Sequence, residues 1–359
     1  MLEKRAFWAP SVGEKDALEI NELWEPKWPI KRDMKIATFG SCFAQHFGRS
    51  LASRGYHWFD AEPAPTELLP ETAKAFNYGV FSARTGNIYS VSLLRQWVEW
   101  ALGVSKAPDE VWEKEGRFYD PFRPAVEPNG FASAEEVLAS RELTIESFGH
   151  AIKDSNLFVF TLGLTESWWN SKDEYEYPIC PGTVAGTYIE GEHEFRNQSY
   201  PFIKKNLMQA LRLIRSVNPQ IRVLLTVSPV PLTATKADDH VLVATSYSKS
   251  TLRAVAGDIA KKHRFVDYFP SYEIISSPPF GGQFYSANKR GVEQDGVDHV
   301  MSNFFACMAQ KYPKLVRSAD NKKLLKKPNS KLPVKPTIAD KGDDLVCEEE
   351  LLSAFAPKS

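Results

Sequence analysis

The chain has 359 residues, of which 43% are apolar and 25% charged, as in an ordinary soluble globular protein. Its 44 basic and 45 acidic residues leave a net charge of −1, which argues against a general nucleic-acid binder. No run in the sequence approaches the roughly 20 apolar residues of a membrane helix, and the charged N-terminus has no apolar signal core. We therefore expect a cytoplasmic protein without an integral membrane segment.

The cysteine content is low. Cys42, Cys180, Cys307 and Cys347 are too few and too scattered to predict a disulfide framework or a zinc site. We expect no metal. Of the four, only Cys42 lies in a setting that suggests chemistry.

The N-terminal part of the chain predicts an arm, a strand and a helix, in that order. Residues 1–33 are rich in Trp and Pro and predict an extended arm with a short helical piece. Residues 34–40 form a short apolar run that ends in Gly and predict a buried strand. The apolar residues that follow recur at helical spacing. The sequence Gly40-Ser41-Cys42 is therefore expected to be a strand-to-helix turn.

The rest of the chain alternates apolar runs with amphipathic segments. We predict loops or a small hairpin at 108–130, an inserted hairpin region at 170–198, and a capping box that opens the helix at 133–155. The other predicted elements are helices at 91–103, 201–217, 241–263 and 296–312, and strands at 156–164, 221–229 and 264–269. Such alternation predicts an α/β fold with a mainly parallel sheet and helices on both faces.

The domain organisation follows from this pattern. We expect the arm, then one α/β domain over 34–311, and then a tail over 312–359. The tail begins as a basic, Pro-containing linker and ends in a short acidic amphipathic helix. A solvated extension is the simpler interpretation of the tail. A docked arm or a partner-binding peptide is the alternative.

Ligands of open α/β sheets bind beyond the carboxyl ends of the strands. The first strand places Cys42 there, and a thiol at a helix N-terminus is expected to ionise readily beside unpaired backbone N–H groups. An inert buried thiol is the alternative for Cys42. The second strand is followed by Thr165, Glu166 and Trp168.

A base could come from the start of the last confident helix, which carries His299. Asp295 or Asp298 could orient its ring and stabilise the imidazolium. A polar cap or a surface residue is the alternative for His299. His46, one turn after Cys42, is the competing base, although we expect it to point along its own helix.

The motif GSCFA at 40–44 is the name motif of the GSCFA family, and the resemblance extends well beyond it. Six further blocks resemble the family in the same order: NYGVFSARTGNIYSVSLLRQ, FTLGLTESWWN, LTVSPVPL, YSKSTLRAVA, DYFPSYEII and GVDHVM. The resemblance covers roughly 35–310. The family is itself similar to the SGNH/GDSL hydrolases, which implies a flavodoxin-like three-layer α/β/α sandwich and acyl chemistry on carbohydrates, lipids and related esters.

The resemblance also implies roles for individual residues. By register with the Gly-Asp-Ser block of those hydrolases, Cys42 is the nucleophile and Ser41 the alternative, while His299 matches the base. Its orienting acid, Asp295 or Asp298, stays open.

Oxyanion donors are implied in the same way. Gly79 or Gly86, the latter followed by Asn87, would supply a second donor. Thr165 or Glu166 would replace the usual Asn, although a carboxylate donates only when protonated.

Two functions are compatible with the sequence. The first is an acyl esterase or acyltransferase that acts on a small-molecule or glycan substrate, with Trp168 among the aromatic residues suited to sugar rings. No cofactor is required, although a transferase would take an acyl donor such as acyl-CoA. The second is a non-catalytic SGNH-like module that binds a glycan or a protein. The sequence gives no indication of oligomeric state.

Overall fold

A computed structural model describes residues 2–315 and 347–355. The chain divides into two compact units. The larger unit contains Arg32–Tyr268 and Val346–Ser359, and the smaller unit contains Met1–Lys31 and Phe269–Leu345. The domain boundaries expected from the sequence stay a prediction.

The larger unit is built on a four-stranded parallel sheet, which confirms the predicted α/β class. Its strands are β1 (Ile36–Gly40), β4 (Leu157–Leu162), β8 (Arg222–Val227) and β9 (Val266–Tyr268), adjacent in that order. All four lie inside predicted strands. They are almost wholly buried, as apolar β-branched runs in a parallel sheet should be.

A fifth chain segment extends this sheet next to β1. Trp58 forms an isolated parallel bridge with Ile36, on the side of β1 opposite to β4. The spatial order is therefore Trp58, β1, β4, β8, β9, which is the flavodoxin-like order 2-1-3-4-5. From β1 the chain first runs to the Trp58 segment on one side of β1 and later returns to form β4 on the other side. The strand order therefore reverses at β1, and the carboxyl ends of β1 and β4 form the topological switch point.

Helices flank this sheet. They are α1 (Phe43–Ser53), α2 (Pro70–Ala75), α3 (Val91–Ala101), α4 (Ala134–Asp154), α5 (Tyr200–Val217) and α6 (Val241–Lys262). The first bond of the predicted capping box is present, since the Ser133 hydroxyl accepts from the Glu136 amide at 3.3 Å. The Glu136 carboxylate accepts from the amide of Ala132, one residue before the cap, at 3.0 Å. The arrangement is consistent with a three-layer α/β/α fold.

Two antiparallel additions decorate the larger unit. A hairpin forms from β2 (Trp112–Lys114) and β3 (Arg117–Tyr119), as predicted for 108–130. A three-stranded sheet forms from β5 (Glu166–Asn170), β6 (Glu176–Tyr177) and β7 (His193–Asn197), with β5 in the centre. This sheet begins at 166, four residues before the predicted insertion, so Glu166 and Trp168 lie on β5.

The smaller unit contains α7 (Ser271–Ser276) and α8 (Gln294–Lys311). Its short turns are 3-10 helices at Lys4–Ala6, Ala17–Glu19, Pro278–Phe280 and Pro313–Leu315 and a π-helix at Ala9–Gly13. Trp24 stacks on Phe304 with ring centroids 5.1 Å apart and meets Phe269 edge-on at 5.2 Å. The N-terminal arm is thus anchored to α8.

The C-terminal segment belongs to the larger unit. Glu348–Phe355 forms a 3-10 helix whose first two glutamates are buried. For this segment the docked-arm interpretation is therefore correct and the solvated one is wrong. The predicted basic linker falls almost entirely on 316–346, outside the described residues. Within the described ranges, no helix is long and apolar enough to cross a membrane.

Candidate active site

The turn after β1 requires a glycine. Gly40 has φ +129°, and a Cβ there would overlap the carbonyl oxygen of Thr161 and lie 2.7 Å from its backbone nitrogen. The Ser41 amide then donates to the Thr161 carbonyl at 3.1 Å. Cys42 follows as the N-cap of α1 and is only 3% exposed. The predicted strand-turn-helix thus places the thiol at a helix N-terminus and at the switch point.

Ser41, the alternative nucleophile, is also buried. Its hydroxyl oxygen has no hydrogen-bond partner within 2–315 and 347–355. The end of β4 approaches it closely, since a Cβ at Gly163 would lie 3.0 Å from Ser41 Cβ. Both candidate nucleophiles are therefore located between the ends of β1 and β4.

The segment after Gly86 threads between these strand ends. The Ile88 amide donates to the Gly40 carbonyl at 2.9 Å, and the Tyr89 carbonyl accepts from the Gly163 amide at 3.0 Å and the Leu164 amide at 2.9 Å. These bonds fix Asn87 and Tyr89 at the switch point, where both side chains are buried.

Asn87 and Tyr89 together hold a carboxylate. The Asn87 side-chain amide, the Asn87 backbone N–H and the Tyr89 hydroxyl, at 3.0 Å, all donate to Glu348. We call these three donors the donor cradle. Burial raises the pKa of Glu348 above its usual value although the donors oppose that shift. Burial also raises the pKa of Tyr89, helped by nearby acidic groups that include Cys347, Glu348 and Cys42.

The two candidate glycine donors have different surroundings. Gly86 lies beside the cradle, since a Cβ there would come within 3.3 Å of Glu348 Oε1. Gly79 is exposed, and a Cβ on it would meet nothing within 4 Å. The Gly86-Asn87 pair, rather than Gly79, therefore lies at the strand ends.

Thr165 and Glu166 have partners within the fold. The Thr165 amide donates to Ser248 Oγ at 3.0 Å, and the Thr165 hydroxyl donates to Asn197 Oδ1 at 2.7 Å. Glu166 Oε1 accepts from the Thr235 hydroxyl at 2.6 Å, and burial raises the pKa of Glu166. In this arrangement, both Thr165 donors are used in bonds that hold β5.

An apolar cavity adjoins the cradle. Its volume is about 410 Å³, within the usual range of ligand pockets. Trp168 lies in its wall and meets Tyr188 edge-on at 5.6 Å. Tyr89 and Glu349 also line the cavity, which links it to the donor cradle. Further lining residues are Leu164, Ile179, Phe195, Leu232, Leu352 and Phe355.

His299 lies on α8 of the smaller unit and is half-buried. Its ring stacks on Phe284 with centroids 5.1 Å apart, and Asn303 Nδ2 lies 3.3 Å from Nε2. Burial lowers the pKa of His299, which favours the neutral imidazole. Asp295 and Asp298 are exposed, and neither forms a hydrogen bond or ion pair with His299 in the described part of the unit.

His46 is buried in the larger unit. It lies edge-on to Phe43, with ring centroids 5.5 Å apart, and its Nε2 has no hydrogen-bond partner in the described ranges. Burial, reinforced by Arg49, lowers its pKa to about 4. His46 therefore stays neutral and is surrounded mainly by the apolar interior.

Two residues at this site escaped the sequence analysis. Glu348 enters the donor cradle from the far end of the chain, where only its acidic amphipathic setting gave a signal. Lys249 is buried on α6 and donates to the Gly163 carbonyl at 2.7 Å. It lies in the family-like block YSKSTLRAVA, but a single Lys in a helix gives no local sign of such a contact.

These features define an open α/β protein with a buried cysteine, a donor cradle and an apolar cavity at the switch point of its sheet. The model of the GSCFA family matches residues 35–304, and the chain belongs to that family. No curated protein and no solved structure matches the chain significantly.

Proposed function

We propose that this protein is an SGNH-like acyl esterase or acyltransferase that acts on a carbohydrate or glycan precursor. Cys42 is the nucleophile and His299 the base. One observation carries the proposal: Cys42 stands at the N-cap position of α1 at the switch point, close to Tyr89, which together with Asn87 holds a carboxylate. Acyl transfer needs a nucleophile beside hydrogen-bond donors that can stabilise the negative charge formed on the carbonyl oxygen.

The reaction has two balanced steps. A general base takes the proton of Cys42, the role that the family resemblance gives to His299, and the thiolate attacks the acyl carbonyl carbon. With an ester, the bond from that carbon to the alcohol oxygen breaks, and with acyl-CoA the bond to the coenzyme sulfur breaks. The alcohol or thiol leaves with the proton from the base, and a thioester to Cys42 remains. Water or an acceptor hydroxyl then attacks the thioester, its proton passes through the base to the sulfur of Cys42, and the acid or new ester leaves.

The donor cradle would stabilise the oxyanion formed in each step. Donors aimed at a developing negative charge commonly contribute a factor of about 10²–10³ in rate. Asn87 is better suited to this role than Gly79 or Thr165, because Gly79 is exposed and both Thr165 donors hold β5.

The cavity bears on the substrate. Its aromatic wall, which includes Trp168 and Tyr188, suits either a sugar ring or an apolar acyl group. Hydrolysis needs only water as co-substrate, whereas transfer needs an acyl donor such as acyl-CoA.

The assignment of roles leaves two alternatives for test. Ser41 is the second candidate nucleophile, and Asp295 and Asp298 are the candidate acids for His299. A panel of acyl esters and acyl-CoA donors, assayed with the purified protein and with its Cys42→Ala, Ser41→Ala, Asp295→Asn and Asp298→Asn variants, tests all of them. We expect Cys42→Ala to lower kcat by at least about 10³-fold, as loss of a nucleophile does elsewhere. Ser41→Ala should retain most activity, and the reverse pattern would move the nucleophile to Ser41.

A binding module is the second candidate function. The C-terminal segment favours this function, because Glu348 already binds in the donor cradle. A site that binds an acidic peptide in this way requires no catalytic reaction. Reaction of Cys42 with an electrophilic acyl probe, lost in His299→Ala, would support the enzyme instead. If no acyl adduct forms at Cys42, the binding function is the better one.

A further inference from the structure

We infer that the donor cradle and the adjoining cavity form a binding site for a carboxylate with an apolar chain, and that Glu348 of segment 347–355 occupies the cradle as an intramolecular ligand while the segment forms part of the cavity wall. That Glu348 occupies the donor cradle follows from its contacts alone. Only the identity of the free ligand, the acid released by acyl-ester hydrolysis, rests on the proposed function.

Glu348 is buried and held by hydrogen-bond donors of Asn87 and Tyr89. Glu348 is only 2% exposed. Its carboxylate accepts hydrogen bonds from the neutral N–H groups of Asn87 and the O–H group of Tyr89. Among the described residues, no basic side chain forms an ion pair with it. Burial of a carboxylate is costly without such donors. The cluster of neutral donors around Glu348 therefore suits the hydrogen-bond-accepting oxygens of a carboxyl group.

Glu349 extends the contact of the segment beyond the donor cradle. The Glu349 amide donates to the Tyr89 hydroxyl at 3.3 Å, and Glu349 Oε1 accepts from the Thr233 amide at 2.6 Å. Leu352 and Phe355 border the cavity, although Phe355 is 66% exposed. Glu350 is exposed. The segment thus places a carboxylate in the cradle and contributes to the wall of the adjoining cavity.

The ligand class follows from these two parts. The donor cradle binds a carboxylate. Tyr89 is one of its donors and also lines the cavity. An acyl carboxylate of medium length would place its head in the cradle and its chain in the cavity. Because Glu348 and this ligand need the same donors, they exclude each other.

The test uses the full chain with Glu348→Lys and its matched control Glu350→Lys, which makes the same charge change on the exposed side. Hydrogen exchange of 347–355 and alkylation of Cys347, read by mass spectrometry, report whether the segment leaves the cleft. Both should rise at least about tenfold in Glu348→Lys and stay unchanged in the control, since an occluded site is opened. Unchanged exchange in both variants would overturn the intramolecular ligand.

The second arm measures binding of octanoate by calorimetry, with octanol as the probe that lacks a carboxylate. Octanoate should bind Glu348→Lys at least about tenfold tighter than the unmodified chain, and octanol should not. Adding Asn87→Ala should remove the gain. Leu352→Asp with Phe355→Asp provides a second release of the segment, should Glu348→Lys fail to fold. A released segment without octanoate binding would overturn the carboxylate site.

Failure of the proposed function gives a different result. If no acyl ester or acyl-CoA donor reacts but octanoate still binds the opened cleft, the enzyme assignment is wrong and the carboxylate site stands.

Discussion

The side-chain amide of Asn87 donates a hydrogen bond to the carboxylate of Glu348, although 261 residues separate them in the chain. The bond joins the segment between α2 and α3 to the C-terminal segment. It identifies Asn87 as a side-chain donor to a buried carboxyl group at the candidate site.

Asn87→Ala should therefore lower kcat for acyl transfer by about 10²–10³-fold, the usual effect of a lost oxyanion donor. KM should change much less, because the donor acts on charge that develops in the transition state. Steady-state kinetics with an acyl ester measure both. Asn129→Ala is the control, since Asn129 is exposed. An effect on KM alone would assign Asn87 to ground-state binding.

Gly40→Ala should destabilise the protein by about 3 kcal/mol or more, because both the positive φ and the overlap with Thr161 oppose a Cβ. Gly55→Ala is the matched control. Gly55 also has positive φ, +74°, but a Cβ there meets nothing within 4 Å, so its cost should be only about 1 kcal/mol. Denaturant unfolding of both variants measures the difference. Equal costs would show that the Thr161 contact does not matter.

His299 should give the proposed activity an acid limb below pH 6.5. Burial lowers its pKa below the usual 6.5, so the imidazole stays neutral, and able to take a proton, to lower pH than an exposed histidine. The profile of kcat/KM against pH measures this limb. His299→Gln should remove it together with most of the activity.

The control for that profile is His150→Gln, since His150 is exposed on α4. It should leave the limb unchanged. A limb that persists unaltered in His299→Gln would assign the base to another group.

Glu176 should make folding stability depend on pH. Its carboxylate is buried among the hydroxyls of Ser90 and Ser92, and burial raises its pKa from 4.5 to about 7. The folded state therefore holds a proton that the unfolded state releases above pH 4.5. The stabilisation of the folded state by this bound proton is fully present below pH 4.5 and is lost as the pH rises through 7. The total loss in the free energy of unfolding is up to about 3 kcal/mol.

Glu176→Gln should flatten this decline between pH 5 and 8 in denaturant unfolding. Glu113→Gln, on the exposed side of the β2–β3 hairpin, should not. A decline of the same size in Glu176→Gln would assign the pH dependence to other groups.

The sequence by itself determined most of the fold. Apolar runs marked all four strands of the parallel sheet, because strands buried on both faces need near-continuous apolar residues. Helical spacing marked the helices that cover them. The turn at Gly40 and the position of Cys42 were also readable, because a glycine between an apolar strand and an amphipathic helix is a local pattern.

Only the tertiary structure decided which of the candidate residues meet. It brought Asn87 beside Glu348, left Gly79 exposed, and used both Thr165 donors to hold β5. Local patterns report periodicity and turn chemistry along a short stretch of chain. Contacts between 87 and 348 depend instead on the path of the whole chain, so no local pattern could indicate that an acidic tail fills the donor cradle.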